Sequence, residues 1–212
     1  EMAELLEKSG YTIIYKYSDA DIIVVNSCTV TAESVRKTRQ TIRRFKKNNP
    51  NSIIVLTGCA SQAEPQIAED LPEVDILIGN RSNTLIVEAI NEFLNTKEYV
   101  CNYIDHKTGD SFVGTGISRF DGHTRAFLKI QDGCDRFCSY CIIPKARGRV
   151  RWKPIEDIKN EVNALTTNGY REIVLVGINL SAYGKGSDLN LADAVFAVSE
   201  NEKVQRIRLG SL

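Results

Sequence analysis

Short, almost unbroken apolar runs separated by helix-length segments limit the architectures open to this chain more than any other feature. Asp21–Asn26 (DIIVVN), Ser52–Thr57 (SIIVLT), Asp75–Gly79 (DILIG) and Glu172–Val176 (EIVLV) are strand-length and lack polar–apolar alternation. Runs of this kind suit strands buried on both faces, as in parallel sheets. Thr12–Tyr15, Arg125–Gln131 and Arg206–Leu209 read as further strands. Between them, residues 1–9 and the segments Thr31–Lys47, Ala63–Asp70, Thr84–Leu94, Ile155–Asn168 and Leu191–Val198 read as helices. Alternating strands and helices build βαβ units, so the expected class is α/β. Residues 98–122 interrupt the rhythm with Gly109, Gly114, Gly116 and Gly122 and are read as a linker. A doubly wound parallel sheet domain is thus expected over 1–97. A second βα series follows over 123–212, forming either an open sheet or a (β/α) barrel.

Composition narrows the function classes without choosing one. A hydrophobic share of 42% and a charged share of 25% are ordinary for a globular protein. No apolar run approaches the roughly 18 residues of a membrane span, and no signal-peptide pattern opens the chain, so a cytoplasmic location without membrane association is expected. The chain begins at Glu1 without an initiator Met and stops at Ser211-Leu212 directly after a strand-like run, so it reads as part of a longer protein. The net charge is zero, yet residues 34–50 carry Arg36, Lys37, Arg39, Arg43, Arg44, Lys46 and Lys47 with no acid. Residues 125–153 set eight basic residues against Asp132 and Asp135. Two solvated faces or an anionic partner both fit these runs.

Cysteine usage is more specific. Six cysteines in a chain of this kind point to metal or redox chemistry rather than a disulfide framework. Gly133-Cys134-Asp135-Arg136-Phe137-Cys138-Ser139-Tyr140-Cys141 gives C-x3-C-x2-C on a loop after a strand. Three thiolates can hold a cubane iron–sulfur cluster and leave its fourth iron open. A tetrahedral zinc site wants a fourth ligand, and the nearest histidine, His123, precedes the strand. Cys28 and Cys59 each follow an apolar run, at the carboxyl ends of strands where open α/β sheets bind ligands. Two thiolates make an incomplete site, whose third ligand is expected upstream of Glu1. Cys101 matches no pattern and reads as a small hydrophobe.

The cysteine loop and its context resemble the radical S-adenosylmethionine (SAM) superfamily. That resemblance implies a [4Fe–4S] cluster on Cys134, Cys138 and Cys141 whose open iron chelates SAM. It also implies cofactor contacts from Tyr140, just before the third cysteine, and from Gly177 and Asn179, where the superfamily has a glycine-rich segment. The motifs Val25-Asn26-Ser27-Cys28-Thr29-Val30-Thr31 and Thr57-Gly58-Cys59-Ala60-Ser61-Gln62 resemble the opening domain of the methylthiotransferases. There the matching cysteines hold an auxiliary [4Fe–4S] cluster, which assigns Cys28 and Cys59 by resemblance and makes residues 123–212 the first part of a partial barrel.

Within that family, the run His123–Gly133, Cys141-Ile142-Ile143-Pro144 with Ala146-Arg147-Gly148, and Gly177-Ile178-Asn179-Leu180 with Tyr183-Gly184 look most like one branch. It modifies N6-threonylcarbamoyladenosine at position 37 of tRNA. Lys145 and Trp152-Lys153 depart from its pattern and bear on substrate contacts. The resemblance implies two SAM-dependent steps, methylation of a cluster-borne sulfur and radical attack at C2 of the adenine. It also implies a tRNA anticodon stem-loop as partner and an electron donor such as flavodoxin or ferredoxin. Arg36, Arg39, Arg43, Arg147, Arg149 and Arg151 are then candidate phosphate contacts. Rival readings are methylthiolation of isopentenyladenosine or of a ribosomal-protein aspartate, and a non-catalytic zinc or iron–sulfur module.

Overall fold

The computed structural model describes residues 1–210 apart from Tyr15, Thr115 and Asp121. It divides into two compact units, one of Met2–His106 with Cys138–Arg147, the other of Lys107–Phe137 with Gly148–Leu212 and Glu1.

The first unit is built on four parallel strands in the order β1 (Ile22–Ser27), β2 (Ile53–Gly58), β3 (Ile76–Ile78) and β4 (Val100–Asn102). Alternate residues serve opposite faces. Ile23, Ile54, Leu56 and Leu77 pack with Ile42 of α2 (Ala32–Asn48) and with Ile67 and Leu71. Val55, Ile76, Ile78 and Val100 pack with Leu6 of α1 (Met2–Lys8) and Ile86, Ala89 and Ile90 of α4 (Ile86–Thr96). Both faces are therefore covered, which is why the strands carry apolar residues in succession. Thr31 caps α2 by accepting from the Ser34 N–H at 3.1 Å. Lys97, in the left-handed region at φ 59, ends α4.

The second unit pairs β5 (Ala126–Lys129), β8 (Glu172–Val176) and β9 (Arg206–Leu209) as a parallel sheet. Its core joins Ala126, Leu128, Ile173 and Leu175 to Ile158, Val162 and Leu165 of α6 (Ile155–Thr167) and to Ala194, Ala197 and Val198 of α7 (Leu191–Ser199). A capping box between Asn190 and Asp193 starts α7. Beyond β5, β6 (Gln131–Asp132) pairs antiparallel with β7 (Arg151–Trp152), a hairpin that brackets the cysteine loop in sequence.

Several elements differ from the sequence reading. Residues 12–14 form no strand, and Tyr15 lies outside the described residues, as do Ser211 and Leu212. Ile13 satisfies its apolar character by packing beside α1 and α4 without a ladder partner. The helix expected over Ala63–Asp70 starts earlier, as α3 (Cys59–Ala63), and Pro65 then begins a separate 3-10 turn, Pro65–Ala68. The segment read as linker from residue 98 contains β4. The short helix α5 (Ile143–Arg147) was not anticipated.

Candidate functional site

Cys28 and Cys59 leave adjacent strands at the same sheet edge, because the parallel register pairs Ser27 with Gly58. The Ser27 hydroxyl donates to Thr57 O at 2.6 Å and accepts from the Ala60 N–H at 3.2 Å, tying the end of β1 to the start of α3. Gly58 is required here: its φ is +102, and a Cβ would lie 2.4 Å from Ser27 O. Cys28 is exposed, whereas Cys59 is 7% exposed at the head of α3. Arg147 Nε donates to Cys59 Sγ at 3.2 Å. Thr57 Oγ1, next but one to Cys59, is buried and has no hydrogen-bond partner among the described residues.

The cysteine loop is held mainly through its backbone. In the second unit, the Cys134 N–H donates to Gly148 O at 3.0 Å. The Asp135 carboxylate accepts from the Val150 N–H at 3.1 Å and from Lys185 Nζ at 2.8 Å. The Lys185 bond, with smaller help from that N–H and from Arg149, holds the Asp135 pKa below the usual carboxylate value against the opposing effect of burial. Phe137 sits at φ 45, costly for a bulky residue, with the Arg149 guanidinium 4.8 Å from its ring centroid. In the first unit, the Cys141 N–H donates to Cys138 O at 2.9 Å, closing a turn. Cys138 is exposed and Cys141 half-buried, and Tyr140 is 90% exposed.

Gln131 is the residue that motif reading missed. Fully buried, its amide nitrogen donates to Asp132 O and Gly133 O, both at 2.8 Å, and its oxygen accepts from the Asn179 N–H at 2.7 Å. It therefore couples the start of the cysteine loop to the Gly177–Asn179 turn after β8. A Cβ on Gly177 would meet Gln131 at 2.9 Å. Asn179 also lines a polar cavity of about 450 Å³ with Asp135, Arg136, Tyr183 and Lys185. The run His123–Gly133 contains Gln131 without marking its role, since the partner that gives it that role, Asn179, lies on a separate strand–turn.

The six candidate arginines separate by environment. Arg36 pairs with Glu33 at 2.6 Å, Arg39 with Asp70 at 3.2 Å and Arg43 with Glu73 at 3.7 Å, all at the surface. The acid-free run on α2 is thus partly balanced by acids that lie outside it. Arg149 is exposed, Arg147 is turned to Cys59, and Arg151 is 9% exposed and paired with Asp132 at 3.4 Å. Burial against a buried carboxylate makes Arg151 a structural cation, which corrects its candidacy as a phosphate contact.

All six cysteines are free thiols. Among the described residues, no three His, Cys, Asp or Glu side chains are grouped so as to hold a metal ion. The donor chemistry nevertheless suits an iron–sulfur cluster: three thiols lie on one loop, whose backbone is tied down at Cys134 and Cys141. Among the described residues no helix is long and apolar enough to cross a membrane.

Comparison with known proteins matches residues 1–79 to the family described as Uncharacterized protein family UPF0004, and residues 128–209 to the Radical SAM superfamily. The chain carries a UPF0004 domain followed by a radical SAM domain. Cys28 and Cys59 fall in the UPF0004 domain, and Cys134, Cys138 and Cys141 in the radical SAM domain, which runs from β5 to β9. The threonylcarbamoyladenosine tRNA methylthiotransferase MtaB of Aquifex aeolicus is 36% identical over 210 residues, 97% of this chain and 50% of that protein. Its namesake in Thermotoga maritima is 37% identical over 212 residues, 100% of this chain and 48% of that protein. A tRNA-2-methylthio-N(6)-dimethylallyladenosine synthase of Clostridium botulinum is 32% identical over 216 residues, covering 98% and 47%. The chain spans about half the length of these relatives. Among solved structures, the radical SAM methyltransferase TsrM of Kitasatospora setae superposes with a TM-score of 0.62 at 14% identity, covering 98% of this chain and 50% of that one. That likeness concerns the fold, an α/β arrangement of parallel sheets.

Proposed function

We propose that the protein to which this chain belongs is a radical SAM methylthiotransferase that modifies C2 of N6-threonylcarbamoyladenosine at position 37 of tRNA. The observation that carries the reading is the coexistence of two thiol sets in one chain. One is the C-x3-C-x2-C loop of the radical SAM domain, and the other is the Cys28/Cys59 pair at a parallel sheet edge. Cys134, Cys138 and Cys141 would hold a SAM-chelating [4Fe–4S] cluster. Cys28 and Cys59, with a third ligand from outside this chain, would hold an auxiliary one. When bound, the clusters and SAM supply the one-electron and sulfur-transfer chemistry.

The chain's own residues then orient and shield. Gln131 fixes the Gly177–Asn179 turn against the entry to the cysteine loop, so that a ligand bound by both meets one rigid frame. Tyr140 offers an exposed aromatic face for an adenine. Arg36, Arg39, Arg43 and Arg149 are available to phosphate, because exposed ion pairs are weak in water and give way readily to a polyanion. The target base must leave its stack to present C2, which favours an unpaired loop nucleotide beside the anticodon.

The test is mass spectrometry of tRNA from cells lacking the gene. Disappearance of the methylthio group from threonylcarbamoyladenosine supports the proposal. Disappearance only from dimethylallyladenosine moves the protein to the branch named for its Clostridium botulinum relative, which is 32% identical to this chain. In vitro, C134A/C138A/C141A should abolish SAM cleavage, and cleavage at the parent rate would refute the cluster assignment.

A further inference from the structure

We infer that Arg147 is a positioning residue for the sulfur of Cys59 and not a contact to RNA. The inference rests on the proposed ligand role of Cys59 and adds to it a partner that no motif assigns. α5 packs on α3: Ala146 and Ala63 are fully buried against each other's cluster, with Ile142 alongside and Cys59 at the rim. At the end of α5, Arg147 Nε lies 3.2 Å from Cys59 Sγ. The guanidinium is braced as well: with its amide oxygen turned inward, Asn80 accepts from Arg147 Nη1 at 3.2 Å and, at 3.1 Å, shares the Nε hydrogen with Cys59 Sγ. Asn80 starts the 3-10 segment Asn80–Leu85, whose Ser82 hydroxyl donates to Asn102 O of β4 at 2.7 Å. The cation is thus fixed to the sheet by one neighbour and aimed at a sulfur, which is not the geometry of a long, mobile side chain kept for phosphate.

A cationic N–H donor at a ligating sulfur withdraws electron density from it and favours the reduced state of the centre it holds. It also fixes the sulfur's direction. Arg147 follows Cys141 by six residues, so one helix, α5, joins the loop of one thiol set to the sulfur of the other within the first unit.

The experiment uses the full-length protein in a C134A/C138A/C141A background, where any cluster belongs to the auxiliary set. Iron and sulfide content, the midpoint potential from a redox titration read by electron paramagnetic resonance, and tRNA affinity are compared for R147A, R147K and C59A. The proposal expects R147A to keep iron but reduce at a more negative potential. R147K should return most of the shift, and tRNA affinity should be unchanged in both. A parent potential in R147A overturns the proposal, as does tRNA binding weakened at the parent potential, which marks a phosphate contact. Should R147A lose the cluster, R147K must regain it; if it does not, the loss is one of packing and the proposal falls. A full cluster in C59A refutes the ligand reading itself, a separate outcome.

Discussion

Gly133→Ala is the substitution whose cost can be worked most directly from this structure. Gly133 has φ +74, and a Cβ there would lie 2.0 Å from Arg149 O, 2.6 Å from Arg149 C and 2.7 Å from Gly148 O. Left-handed backbone costs an alanine about 1–2 kcal/mol. The clash adds more, because carbon and oxygen need roughly 3.5 Å and the obstacle is backbone. Gly148–Arg149 must retreat by more than 1 Å, which opens the Cys134 N–H bond to Gly148 O and strains the β6–β7 pairing. At about 1 kcal/mol for each bond lost, the total is about 3–4 kcal/mol. Gly169→Ala is the control: φ is +93 and nothing lies within 4 Å of the added carbon, so only the roughly 1–2 kcal/mol conformational cost applies. Trp152, the only tryptophan in the chain, sits on β7 opposite Gln131 and reports on the hairpin by fluorescence. Since each kcal/mol lowers Tm by about 2–4 °C in a chain of this size, Gly133→Ala should melt about 6–16 °C below the parent and well below Gly169→Ala. Equal destabilisation of the two variants would refute the argument from close approach.

Three other outcomes follow from the site. Gln131→Leu removes three buried hydrogen bonds and leaves the Gly133 carbonyl and Asn179 N–H without a partner, so SAM affinity measured by calorimetry should fall about tenfold or more, with Tm lowered. Burial, reinforced by Asp193, pushes Tyr183 up to about 12, and its hydroxyl donates to Lys153 O at 2.7 Å. The folded state therefore holds this proton more tightly than the unfolded one, near 10, so stability present below pH 10 declines as pH rises towards 12. Denaturant titrations across that range should show the decline, and Tyr183→Phe should flatten it. Gly58→Ala places a Cβ 2.4 Å from Ser27 O and should lower iron bound by the Cys28/Cys59 set without removing a thiol, measured in the C134A/C138A/C141A background.

The regular elements were legible because burial on both faces writes itself into composition. β8 and β9 have the bounds read from EIVLV and Arg206–Leu209, and the helix over Ile155–Asn168 differs by one residue. What escaped depends on partners distant in sequence. β4 is an edge strand of three residues, and its Cys101 is exposed, so no apolar run announces it. The charge on α2 looked unbalanced because Asp70, Glu73 and Asp75 come from a later segment. Arg147 and Arg151 lie four residues apart in one basic run, yet one faces a thiol and the other a buried carboxylate, a division no charge count reveals. Pro65 bars one continuous helix over Ala63–Asp70 and starts a 3-10 turn in its place, a break the sequence itself displays.

The cysteines supply the chemistry, but in three of the five candidate ligands the preceding residue supplies the geometry. Ser27 precedes Cys28 and stitches β1 to the start of α3 through one hydroxyl. Gly58 precedes Cys59 and admits the backbone of β1 within a distance no side chain allows. Gly133 precedes Cys134 and does the same beneath Arg149. Cys28 is exposed and cannot fix its direction by packing, and even the buried Cys59 leaves the sheet at an angle set by the backbone before it. The backbone must therefore be fixed as well, and a small residue one step upstream, at a strand's carboxyl edge or on a hairpin, is where that can be done without occupying the sulfur. Cysteine-to-alanine changes should therefore leave each unit folded, while changes at Ser27, Gly58 and Gly133 move the thiols without removing them. The second class separates a site that has lost its ligands from one that has lost its aim.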